Sequence, residues 1–107
     1  MAFHSRQTLE TWLTEFHALG YPTDGTFRVI EQDGADGANT GLVAVRLSSG
    51  LRAYLQPDNR GRWVTTIESS ETAFDLEPAS VSRLSAELAT VSALCAFLQA
   101  TSIAVRV

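Results

Sequence analysis

Between Pro78 and Ala100 the apolar residues Val81, Leu84, Leu88, Val91, Cys95 and Leu98 recur at steps of 3, 4, 3, 4 and 3. That spacing sets side chains on one stripe of an α-helix. Pro78 suits the first helical position, where its missing N–H costs nothing, and Asp75 and Glu77 stand near the positive end of the helix. A helix this long must be covered by something. Leu94 and Phe97 widen its apolar surface in the second half, which suits packing against a sheet and another helix. The strict heptad spacing also allows a second copy of the helix as the cover, and so a homodimer. No Gly or Pro follows Ala100, and Ile103, Val105 and Val107 alternate, so 101–107 reads equally as a terminal strand or a frayed apolar tail.

The rest of the chain supplies that sheet and helix. Leu9, Trp12, Leu13 and Phe16 share one face of a helix from about Ser5 to Leu19. Ser5 or Thr8 can cap it, Gly20 can take the left-handed conformation that ends it, and Tyr21 is placed to pack back on Phe16. Thr26–Gln32, Leu42–Leu47, Leu51–Gln56 and Arg62–Glu68 read as four strands by their alternation. The connections are Asp33–Gly41, Ser48-Ser49-Gly50 and Pro57–Gly61, with Asp24-Gly25 turning into the first strand. Asp33, Asp36 and Asn39 lack the spacing of a calcium loop, so Asp33–Gly41 reads as a solvated hairpin connection. The expected fold is α+β in two layers: an N-terminal helix, a four-stranded antiparallel meander and a long C-terminal helix (α-β-β-β-β-α) in one domain spanning 1–107. Both helices would cover one face of the sheet. The order resembles small chaperone-like and immunity-type α/β modules that bind protein partners, an analogy of fold.

Composition narrows the partners. The net charge of -4 and pI near 5.0 argue against nucleic acid and against an anionic membrane surface. No uninterrupted apolar run reaches the roughly 18 residues of a membrane span, and no apolar segment follows the N-terminal charge as in a signal peptide. A cytoplasmic protein is the expectation. With Cys95 as the single cysteine, no intrachain disulfide can form. All eight basic residues are Arg, which reads as the codon bias of a GC-rich bacterial genome.

No residue pattern announces catalysis, a metal or a cofactor. His17 sits in the last turn of the first helix, where a cation favours the helix dipole, and no Ser or Cys context pairs with it. His4 lies in the N-terminal segment. Cys95 stands on the apolar stripe, away from the helix N-terminus or cations that would activate it. Gly34, Gly37 and Gly41 fit neither nucleotide fingerprint.

The remaining constellation is the polar side of the meander. By alternation Arg46, Arg52, Tyr54 and Arg62 share one face of three strands, with Arg28 within reach on the fourth. Arg and Tyr are enriched among interface anchors. An ordinary solvated face, paired with Glu31 and Glu68, is the competing reading. The functional expectation is a non-enzymatic protein-binding module (a small chaperone, adaptor or immunity-like protein) that binds its partner through this Arg/Tyr face, suited to an acidic partner or anion, or through the long C-terminal helix. The alternative is a small-ligand binder or minor enzyme with a pocket between helices and sheet, near Trp12, Trp63 and Tyr54.

Overall fold

The computed structural model of the protein describes residues 4–21, 27–33, 39–47, 50–68, 73 and 75–106. Six elements follow in order: α1 (Arg6–Ala18), β1 (Phe27–Asp33), β2 (Asn39–Arg46), β3 (Arg52–Pro57), β4 (Trp63–Ile67) and α2 (Pro78–Arg106). The strands form one antiparallel sheet in the order β1-β2-β3-β4. This is the expected α+β meander between two helices. The Asp24-Gly25 turn, Asp36 with the centre of the first hairpin connection, Ser48-Ser49 and Phe74 lie outside the described residues.

α1 starts where the Ser5 side chain accepts a hydrogen bond from the Thr8 amide, 3.2 Å away. It ends at Leu19, with Gly20 at φ +98° and its amide donating to the His17 carbonyl. The Tyr21 ring then stacks on Phe16 with centroids 4.5 Å apart. Leu9, Trp12 and Phe16 are the buried face.

The two later hairpins are built alike. In each, a strand-end residue bonds across a three-residue connection whose last member is a glycine at positive φ. The Leu47 N–H donates to the Leu51 carbonyl and the Leu47 carbonyl accepts from the Gly50 N–H; Asp58 does the same with Arg62 and Gly61. Gly50 (φ +92°) and Gly61 (φ +80°) hold the left-handed position that closes such a turn. Asp58 adds its side chain: Oδ1 accepts from the amides of Arg62 and Arg60, both at 2.9 Å. The Arg62 amide, above all, holds this carboxyl below its ordinary pKa.

Alternation along the strands decides what is buried. Val43 pairs with Leu55 and Val45 with Ala53, and all four face the helices. They join Leu9, Trp12, Phe16, Leu47, Trp63, Val91, Leu94 and Leu98 in one core. α1 lies over β1 and β2, and α2 over β4. Gly41 lets α1 come close: a Cβ there would stand 3.1 Å from Leu9 Cδ1 and 3.3 Å from the Arg6 Cα.

α2 differs from expectation in two ways. Residues 101–106 are helical, neither strand nor frayed tail. The reason is a side chain: Ser102 is buried and receives the Trp63 indole N–H at 2.8 Å, so the last turns are drawn onto the start of β4. The buried line also runs Val91, Leu94, Leu98 and Ser102, with Cys95 beside it. The buried line thus shares Val91 and Leu98 with the regular 3-4 stripe but runs on through Leu94 and Ser102, while Leu84, Leu88 and Cys95 of the stripe pack half-buried against the core. Among residues 78–90 none is buried, and Val81 is 51% exposed. At 29 residues the helix is about 43 Å long, close to the 44 Å longest dimension of the molecule. By length and mean hydropathy (1.4), Pro78–Ile103 could also cross a membrane, on composition alone. A surface helix normally carries charge on its solvent side, and between Pro78 and Val105 the charged residues are Arg83 and Glu87.

Candidate functional site

Two polar constellations stand out, one on each side of the sheet. The inner one is a clasp around Trp63. Its amide donates to Gln99 Oε1 at 2.7 Å, and its carbonyl accepts from Cys95 Sγ at 3.5 Å. Ser102 Oγ, which accepts the Trp63 indole N–H, stands 3.3 Å from His4 Nε2. The His4 ring packs edge-on to Trp12 at 4.8 Å and stacks with Trp63 at 6.1 Å. The His4 carbonyl accepts the Gly41 amide at 2.9 Å. His4 is therefore a packed link between α1, β2, β4 and α2. Its distance in sequence from Trp63 and Ser102 hides this. Cys95 serves the same clasp, tying α2 to the edge of β4. The polar contacts of Trp63, Cys95, Gln99 and Ser102 here tie β4 to α2, and the group is filled by rings.

The outer constellation is open. Register sets Arg28 beside Ala44, Ala44 beside Tyr54, and Arg46 directly opposite Arg52. The Leu47–Leu51 hydrogen bond makes Arg46 and Arg52 a non-hydrogen-bonded pair, the closer kind, with Cα atoms about 4.5 Å apart. Arg28 lies one row along on β1, a diagonal neighbour of Arg46. The three strands thus bring three guanidinium groups to one concavity of about 380 Å³, lined by Arg28, Ile30, Ala44, Val45, Arg46, Arg52 and Tyr54. Ala44 explains the hollow: the smallest side chain of the row sits between Arg28 and Tyr54.

Among the described residues, Arg28, Arg46 and Arg52 make no ion pair. The nearby carboxylate is Glu68, whose amide donates to the Arg52 carbonyl, yet whose side chain accepts from Tyr54 Oη at 3.4 Å. Like charges directly opposite each other in a sheet are destabilising. The cluster is not explained by internal salt bridging.

Arg46, Arg52 and Tyr54 therefore come together as the alternation suggests, and Arg28 joins them. Arg62 does not. It precedes β4 and reaches Asp58 Oδ2 at 3.5 Å, in the turn at the far end of the β3–β4 hairpin from Arg52. Six residues separate Arg52 from Asp58, roughly 20 Å along a strand. Of the residues expected to line a pocket between helices and sheet, Trp12 and Trp63 are buried in the core, while Tyr54 lines the hollow on the other face. Ala44 and Ile30 were not singled out by sequence, because a small or apolar residue on a polar face gains meaning only from its register neighbours.

No family model, curated protein or solved structure matches the chain. The reading of this face rests on its own chemistry.

Proposed function

We propose that the protein is a non-enzymatic protein-binding module of the small chaperone, adaptor or immunity-like kind, and that it takes an acidic partner on the open face of its sheet. Arg28, Arg46, Arg52 and Tyr54 are the contacting residues. One observation carries the reading: three guanidinium groups from three strands line one hollow with no described carboxylate paired to them. Such groups form charge-assisted, often bidentate hydrogen bonds to carboxylate and phosphate oxygens. The positive face stands on a protein of net charge -4, so an acidic partner is drawn to this side and repelled elsewhere.

The test is retention of partners from the native cell extract on immobilised wild-type protein and on the Arg46→Glu/Arg52→Glu variant. A partner held by the wild type, released by moderate salt and lost from the variant supports the reading. Equal retention by both proteins sinks it.

A further inference from the structure

The hollow on the open face is specific enough in charge and shape to say which acidic group it fits. We infer that it takes a phosphomonoester dianion on an aromatic stem, presented as a phosphorylated tyrosine side chain of the partner. This inference rests on the acidic-partner reading of the same face and narrows it.

The first argument is charge. Arg28, Arg46 and Arg52 face one carboxylate, Glu68, which is engaged by Tyr54. Among the described residues, three cations against one anion leave a net charge of +2 around the hollow. A partner carboxylate would neutralise half of that. A phosphomonoester above its second pKa of about 6 carries close to two negative charges.

The second argument is donor geometry. Arg46 and Arg52 rise from directly opposed positions, and Arg28 comes from a third strand one row away. Three guanidinium-bearing side chains are thus anchored on three different strands around one hollow. A planar carboxylate is matched by one guanidinium fork. A tetrahedral phosphoryl group offers three terminal oxygens, one for each Arg.

The third argument is the floor. Ala44 leaves the space, and Ile30 and the Tyr54 ring give it apolar walls. About 380 Å³ lies at the lower end of small-ligand sites, enough for one ring and its phosphate. An aliphatic phosphorylated side chain would leave those walls uncovered.

The full chain is titrated at low salt with phenyl phosphate, benzoate, inorganic phosphate and a Glu-rich peptide, with binding read by calorimetry. The inference requires phenyl phosphate to bind at least tenfold more tightly than benzoate or inorganic phosphate at pH 8. It also requires that affinity to fall at pH 5, where the ester loses its second charge. Arg52→Gln should weaken phenyl phosphate at least tenfold. Ala44→Leu should do the same with no change in charge, and the melting transition of each variant shows that it is folded. Benzoate binding as well as phenyl phosphate, or no difference between pH 8 and pH 5, overturns the phosphoryl assignment. Inorganic phosphate binding as tightly as phenyl phosphate overturns the aromatic stem and makes free phosphate the ligand. If only the Glu-rich peptide binds, this inference fails and the acidic-partner reading stands. If no probe binds, both fail.

Discussion

The two faces of the sheet are made by the same strands, one residue out of phase, yet they are governed by different physics. The inner face places Val43, Val45, Ala53 and Leu55 against α1 and α2, and all are buried. Its polar groups, around Trp63, are matched in pairs. The outer face places Arg46 against Arg52 and leaves both exposed. The inner face is arranged for stability. The outer face holds a cluster of like charges that stability alone does not favour. That contrast, more than any single residue, is what the proposed binding role of the outer face rests on.

The sharpest way to break the contrast is to truncate one apolar residue on each side. Leu98→Ala removes a fully buried side chain and should cost about 2–5 kcal/mol in denaturant unfolding. Ile30→Ala on the open face, half-buried, should cost less than about 1.5 kcal/mol by loss of transfer energy alone. Equal losses would show that the outer face is structural too.

A smaller effect tests the clasp. Ser102→Ala leaves the buried Trp63 indole N–H without its acceptor, at a cost of about 1–3 kcal/mol. The last turns of α2 should then exchange amide hydrogens faster than its middle. An unchanged exchange pattern would mean that helix propensity, not Ser102, holds residues 101–106.

The smallest effect has the opposite sign. Arg46→Gln relieves the like-charge pair and should raise stability by about 0.2–1 kcal/mol at low salt. The gain should vanish near 1 M salt, where charges are screened beyond about 3 Å. A loss of stability would mean that the arginine stem contributes packing worth more than the repulsion.

The N-terminal helix, its cap and stop, the Tyr21–Phe16 contact, the four strands and their parity follow from patterns within a few residues. Ser5, Gly20 and the alternation of Val43, Val45, Ala53 and Leu55 are local signals, acting through hydrogen bonds and chain geometry. Three of the four proposed contact residues are legible in the same way. Alternation puts Arg46, Arg52 and Tyr54 on one side, because side-chain direction along a strand is a property of the backbone. Register is different. Whether Arg62 meets Arg52 depends on the pairing, and the antiparallel hairpin sets Arg62 opposite Asp58, at the other end of β3 from Arg52. The hollow at Ala44 exists only because Arg28 and Tyr54 come to flank it from other strands.

The long helix divides along the same line. Its 3-4 spacing and lack of breakers determine that it is a helix. Its buried line is Val91, Leu94, Leu98 and Ser102, and its end lies at Arg106. Those two features were decided by the packing of α2 on β4 and by the bond from Trp63 to Ser102, residues 39 positions apart in the chain. Periodicity names the faces a helix has; which face is buried, and how far the helix runs, depends on what tertiary structure sets against it.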